Sequence, residues 1–336
     1  MENKRRVLYA EAVYGQSEID AVVKVLKNPK KIGAGELVGE FENKISRLFG
    51  KKYGVMVNSG SSANLIALEA LNLPRGSEII TPILTFGTTL SPIIQKGLIP
   101  VFVDVKPGTY IIDPDKIEPM ITKKTRALMI PSLMGNIPDL IKLKKIADKY
   151  DLWIIEDSCD TLGAKFAGKP TGQYTDISVT SFYASHIITA AGGGGMACFN
   201  DKNMARRARV ISSWGRESTN FGFHEKSENL DKRFSGRIEG RVYDAKFIFS
   251  EVGYNFQVPE MFGAFGLEQL KKFPKFAQRR KKNFKEMLSF FKKYDRYFIL
   301  PKQTDKSETN WLAFPLTIKP GAGFSRHEIT KYLEEK

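Results

Sequence analysis

Three segments bring together residue types that could do chemistry. Asn58-Ser-Gly-Ser-Ser-Ala-Asn64 joins an apolar run to a helical pattern. Gly60 permits a tight turn there. Ser61 and Ser62 offer hydroxyls beside the free N–H groups of a helix start, which attract phosphate through their oriented dipoles. The same residues also read as a plain serine N-cap. Leu152-Trp-Ile-Ile-Glu-Asp-Ser-Cys-Asp160 is an apolar strand that ends in carboxylates. Ligands of open α/β sheets sit at such strand ends. Asp157 could therefore pair with a cationic ligand nitrogen, or serve as a cap or surface acid, and Cys159 reads as a small core residue. The third segment, Ser178 to Gly195, runs from a strand through hydroxyl-rich residues and the lone His186 to four glycines. Such a glycine run allows close backbone approach. His186 could face a cavity, although a lone His is more often structural. The chain has no nucleophile elbow, Walker loop, dinucleotide fingerprint or His-based zinc spacing.

The elements around these segments alternate. Apolar periodicity predicts helices over 17–27, 36–49, 61–72, 87–96, 138–149 and 201–213. Short apolar runs predict strands at 53–57, 78–81, 101–103, 126–130, 152–156, 177–181 and 195–199. Buried strands separated by helices imply a parallel or mixed sheet covered on both faces. The first segment thus lies between a strand and a helix, and the other two lie at strand ends. Residues 215–250 lack a period, and a loop of that length is as a rule functional or disordered. The pattern is helical again from Pro259, with a bend or break expected near Pro274. A strand is expected over 311–318 and a capped helix over 325–335. This gives a large α/β domain over 1–258 and a small one over 259–336 that reads as incomplete.

Composition narrows the class. The chain is 42% hydrophobic and carries 23 Phe, which excludes a disordered tail. No apolar run reaches membrane-span length, and the start lacks a signal-peptide core. Two Cys cannot build a disulfide framework or a four-Cys zinc site, so a reducing cytoplasm is expected. The net charge of +15 raises the question of a nucleic-acid partner. The densest basic run, 271–285, has Phe273, Phe276 and Phe284 interleaved at helical spacing, which reads as an amphipathic helix with a solvated back. No nucleic-acid motif accompanies it, and neither nucleic acid nor membrane is expected as a partner.

Taken in order, the segments resemble the pyridoxal-phosphate-dependent sugar aminotransferases of the DegT/StrS type. The likeness runs from about Tyr14 to the last residue. Its pieces are G-E-L-V-G-E-F-E at 35–42, N-S-G-S-S-A-N at 58–64, E-D-S-C-D at 156–160, S-F-Y-A-S-H at 181–186, G-Y-N-F-Q at 253–257 and G-A-F-G-L-E-Q-L-K-K at 263–272. The resemblance implies an aspartate-aminotransferase-like (type I) fold with a large sheet domain and a small C-terminal domain. It implies that Gly60, Ser61 and Ser181 bind the phosphate of pyridoxal 5'-phosphate or pyridoxamine 5'-phosphate. It further implies that Asp157 pairs with the pyridine nitrogen and that Phe86 stacks on the ring. Asn255 would reach the cofactor phosphate of a neighbouring subunit, hence a homodimer.

His186 departs from the aminotransferase pattern, which has a Lys at that position to link covalently to the cofactor. Imidazole cannot form that link, but it can act as a base, with a pKa of about 6.5 against about 10.4 for Lys. A branch of the family with this His consists of sugar-nucleotide 3-dehydratases. The resemblance therefore implies loss of the 3-hydroxyl from a nucleotide-linked 4-keto-6-deoxyhexose, with His186 as base and Asp160 as a second acidic group at the reacting centre. Glutamate would restore the amino form of the cofactor. The competing expectation is a non-catalytic relative that only binds. An iron–sulfur variant of this chemistry needs four thiolates, whereas Cys159 and Cys198 are the only cysteines. No metal is expected.

Overall fold

The computed structural model describes residues 8–222 and 229–335; residues 223–228, which fall within the expected 215–250 loop, lie outside it. The large unit opens with α1 (Gln16–Leu26), α2 (Glu36–Leu48), β1 (Tyr53–Val57) and α3 (Gly60–Ala70). Then come β2 (Glu78–Pro82), α4 (Gly87–Gln95), β3 (Ile99–Val103), β4 (Thr125–Pro131), α5 (Leu140–Tyr150) and β5 (Trp153–Asp157). The short pair β6 (Lys165–Phe166) and β7 (Lys169–Pro170) precedes β8 (Ile177–Ser181), β9 (Gly195–Phe199) and α6 (Lys202–Ile211).

These strands form a seven-stranded sheet in the order β1-β9-β8-β5-β4-β2-β3. Only β9 runs against its neighbours, pairing antiparallel with β1 and β8. The interior strands are apolar on both faces because helices cover both. On one face Val55, Ile79, Met129, Ile155 and Val179 pack with α3 and α6. On the other, Ile80, Leu128 and Ile154 pack with Leu140, Leu143 and Ile146 of α5. A third cluster joins Phe41 and Ile45 of α2 to Phe182, Ile188 and Met196. The expected α/β class, and nearly every expected strand and helix of this unit, is present.

Past β9 the chain departs from expectation in three places. Within 215–250 the backbone forms a helical turn, α7 (Leu230–Arg233), and a small hairpin of β10 (Gly236–Ile238) and β11 (Arg241–Tyr243). Next, α8 (Glu260–Phe291) is one helix of 32 residues that runs through Pro274 unbroken. A proline costs that helix one N–H bond. Packing on both sides of it holds the helix together, with Phe273 and Phe276 in the third cluster. Last, 311–318 is not a strand. Only β14 (Thr317–Ile318) pairs, with β12 (Phe298–Ile299). Trp311 is left-handed at φ 49°, which takes the segment out of extended geometry. The short β13 (Ser307–Glu308) joins β6, and α9 (Arg326–Glu335) closes the described chain. Ser325 and Glu328 cap α9 reciprocally, as expected.

Helix α8 is tied to the large unit at its start. The buried carboxylate of Glu260 accepts from the N–H groups of Gly35 (2.6 Å), Leu37 (2.8 Å) and Val38 (3.2 Å). It thereby satisfies the first turn of α2, whose donors have no partner inside their own helix. Two turns later Gln269 and Lys272 reach the fully buried Glu18 of α1.

Candidate active site

The site is assembled at the C-terminal ends of β5 and β8 and the start of α3. The cap of α3 is Ser59, whose Oγ accepts from the Ser62 N–H at 3.1 Å. The Ser62 hydroxyl is spent on Asn58 Oδ1 at 2.7 Å. The hydroxyl of Ser61 makes no hydrogen bond among the described residues, and the first N–H groups of α3 have no acceptor within the helix. Gly60 has no room for a side chain, since a Cβ would stand 2.7 Å from Ser181 Cβ and 2.9 Å from Cys159 Sγ. Gly60 therefore sits directly against Ser181, with Ser61 next to it in the first turn of α3. The glycine run explains itself here. Gly194 donates to Asn58 O at 2.9 Å, and a Cβ on Gly195 would lie 2.3 Å from the Ser59 carbonyl.

Asp157 ends β5 and is buried. Its Oδ2 accepts from Asn64 Nδ2 and from Thr89 Oγ1, both at 2.8 Å, and its Oδ1 accepts from the Cys159 N–H at 3.2 Å. Asn64 lies one helical turn after Gly60 on α3, and Thr89 lies in the same loop-and-helix start as Phe86. The Phe86 ring, at the cap of α4, is 70% exposed and offers an open face.

His186 lies in the turn after β8, with its N–H bonded to Tyr183 O at 3.0 Å. Its Nδ1 is buried without a hydrogen-bond partner and stands 3.9 Å from Asp160 Oδ1. Burial pulls the imidazole below its ordinary pKa; the Asp157 charge opposes this and the Arg280 guanidinium adds to it. Burial pushes Asp160 up to about 6, against the Met134 N–H that its Oδ2 accepts at 2.7 Å and with the help of Asp157. Burial thus works against the charged form of both groups, the imidazole and the carboxyl beside it.

Asn255 is exposed, and its backbone bridges to Ser213. Its side chain makes no hydrogen bond to the other site residues. Surface cavities of about 610 and 650 Å³ lie elsewhere and contain none of these residues. Among the described residues no cluster could hold a metal ion, and no helix is long and apolar enough to cross a membrane.

The family model described as the DegT/DnrJ/EryC1/StrS aminotransferase family matches residues 13–336. The chain belongs to this family. This family member is 33% identical over 338 residues to the GDP-4-keto-6-deoxy-D-mannose 3-dehydratase of Yersinia pseudotuberculosis, covering 97% of the chain and 81% of the relative. It is 38% identical over 311 residues to the lipopolysaccharide biosynthesis protein RfbH of Salmonella typhimurium, covering 90% and 70%. The solved structure of the Escherichia coli GDP-4-keto-6-deoxy-D-mannose 3-dehydratase with bound hydrated PLP matches with a TM-score of 0.86 at 31% identity. That match covers 98% of the chain and 84% of the other. The type I fold expected from the sequence is thus the one observed.

Pyridoxal phosphate fits the residues present. Gly60 lies against Ser181 at the start of α3, the neighbouring Ser61 hydroxyl makes no hydrogen bond among the described residues, and Asp157 is a buried carboxylate already oriented by two side-chain donors. Beside them Asn64 Oδ1, Thr161 Oγ1 and His186 Nδ1 are buried polar atoms without partners. Sequence reasoning gave no role to Asn64, Thr89, Met134 or Arg280. Asn64 lies inside the 58–64 motif, and Thr89 lies three residues after Phe86. Met134 acts through its backbone, which leaves no residue-type signal.

Proposed function

We propose that the protein is a pyridoxal/pyridoxamine-phosphate-dependent 3-dehydratase acting on a nucleotide-linked 4-keto-6-deoxyhexose in surface-polysaccharide biosynthesis. The observation that carries this reading is His186, a largely buried imidazole 3.9 Å from Asp160 at the position where the aminotransferase pattern has Lys. Gly60, Ser61 and Ser181 would hold the cofactor phosphate, Asp157 its ring nitrogen and Phe86 its ring face. When bound, the cofactor supplies an electron sink, kept electron-poor by the Asp157 carboxylate. His186 accepts a proton at an imidazole nitrogen and, once protonated, delivers it to the departing 3-hydroxyl. Asp160, within reach of Nδ1, steadies the imidazolium between the two transfers. Without a Lys in that turn, no side-chain amine competes for the cofactor's carbonyl carbon.

The reading includes glutamate as the amine donor and a homodimer in which Asn255 reaches the neighbouring site. It also includes the division into 1–258 and 259–336. The activities by which the Yersinia and E. coli relatives are named support it.

The test supplies the protein with pyridoxamine phosphate and GDP-4-keto-6-deoxy-mannose and identifies the sugar product by mass spectrometry. A 3-deoxy product is expected, and His186→Ala should lower its rate by about 10²–10⁴-fold, the range of a lost general base. A 4-amino product, or an unchanged rate in that variant, would overturn the assignment.

A further inference from the structure

Asp160 is held in place by a structure that begins far away in the chain. Its Oδ2 accepts from the Met134 N–H, and Met134 is itself left-handed, at φ 57°. The Met134 carbonyl accepts from the N–H groups of Leu312 (3.0 Å) and Ala313 (3.3 Å). Gly135 follows at φ 94°, and a Cβ there would lie 2.4 Å from the Leu312 nitrogen. Thr309 Oγ1 donates to the Gly135 carbonyl. The 309–313 segment therefore lies flat on the 134–135 turn, with no space between.

The same segment is gripped from its other side by α8. Arg280 Nη1 donates to the carbonyls of Trp311 (3.4 Å) and Leu312 (3.1 Å). The Trp311 ring stacks on Phe284, one turn further along α8, at 4.1 Å between centroids and 12° between planes. Trp311 is held left-handed at φ 49°, a backbone state that a bulky residue keeps only when its surroundings impose it. One continuous line of hydrogen bonds thus runs from Arg280 through 311–313 and Met134 to Asp160, whose Oδ1 stands 3.9 Å from His186 Nδ1.

We propose that Arg280 is a positioning residue for the His186–Asp160 pair, acting on Asp160 through the 309–313 segment and on His186 through its charge. The proposal rests on His186 being the working base. The titratable and charged groups facing His186 are Asp157 and Asp160 from the end of β5, Tyr183 from its own turn and Arg280 from α8. Arg280 is the cation among them, so it opposes protonation of the imidazole while the two carboxylates favour it. Its hydrogen bonds and its charge are separable by substitution.

The experiment titrates the imidazoles by NMR in cofactor-free protein, where three His signals are expected and His186→Asn assigns the relevant one. In Arg280→Gln, an amide keeps a donor for the 311–312 carbonyls but the charge is gone, and the His186 midpoint should move to higher pH. In Arg280→Lys, the charge is kept and the midpoint should stay near its original position. Arg280→Met removes both. It should move the midpoint as Gln does and also lower kcat more than Gln, with the acid limb of the rate profile displaced to higher pH and KM little changed. A purely structural role would lower the folded fraction without moving either midpoint. Unchanged His186 titration in both Gln and Met variants overturns the proposal, as does an equal displacement in the Lys variant. Because the titration needs no substrate, it stands even if the 3-deoxy product is never formed, which would sink only the dehydratase reading.

Discussion

Two carboxylates, the fully buried Glu18 that α8 touches directly and the partly buried Asp160 linked to it through the 309–313 segment, have opposite fates. Glu18, at the joint of α1 and α8, is fully buried; burial alone would raise its pKa. The Lys272 ammonium at 2.6 Å, the Gly15 N–H and the Gln269 amide outweigh that and hold it at about 2. Asp160, in the candidate site, has a single N–H donor and a second carboxylate nearby, and burial takes it up to about 6. One acid is stabilised by its surroundings and the other is kept under tension. The fold is satisfied where α8 is anchored and left unsatisfied where protons must move, the pattern expected where catalysis tunes a group toward neutrality.

Asp157 tests the comparison most severely, because it belongs to the site yet is as well supplied with donors as Glu18. Asp157→Ala should weaken pyridoxal phosphate binding about a hundredfold, the scale of a lost charged hydrogen bond in a buried site. It should also leave Asn64 and Thr89 with unanswered donors. Absorbance titration with the cofactor reads the first effect and thermal melting the second. Undiminished affinity would remove Asp157 from the site.

The next effect is on stability alone. The Glu18 pKa is lowered on folding, so its contribution is present above the ordinary value near 4.5 and is lost as the pH falls toward 2. Glu18→Gln should cost up to about 3 kcal/mol at pH 7 and much less near pH 3, measured by urea unfolding at the two pH values. A loss independent of pH would show that packing, and not the charge, holds the joint.

The smallest effect has the reverse sign. The Asp160 pKa is raised on folding, so its ionisation penalises the folded state above pH 6, and the penalty fades as the pH falls from 6 toward 3.8. Asp160→Asn should therefore raise the melting temperature at pH 7.5, leave it nearly unchanged at pH 4, and still slow the reaction. The gain is bounded by about 3 kcal/mol. A variant destabilised at pH 7.5 would mean that Asp160 is held as well as Glu18, and the contrast would collapse.

Much of this was legible in the sequence. The strands of the large sheet are short apolar runs bounded by turn residues, and the strand ends, helix start and turn that carry Asp157, Ser181, Gly60 and His186 fell where they were expected. The chain from Pro259 onward was less so, for physical reasons. Pro274 should stop a helix on local grounds, but α8 is fastened by Glu260 and Lys272 before it and by Phe284 after it, so one missing bond does not break it. The 311–318 run has the residues of a strand, yet its Trp311 and Leu312 carbonyls are taken by Arg280 and its Leu312 and Ala313 N–H groups by Met134, which leaves only Thr317–Ile318 to pair. Arg280 itself was hidden in a basic run that reads as solvated surface. Only the folded chain shows that Arg280, like Lys272, turns inward.

Helix α8 also has a mechanical side. Pro274 leaves the Leu270 carbonyl without its helical N–H partner, which makes that point the softest in the rod. The 17 residues beyond it span about 26 Å at about 1.5 Å per residue, so a flex of about 5° there swings the far end by roughly 2 Å. Arg280 rides six residues past the pivot and would travel only about a third as far. Any movement of the outer helix therefore reaches the 309–313 segment geared down, as at the short arm of a lever, so large excursions at the periphery arrive as sub-ångström adjustments of Asp160.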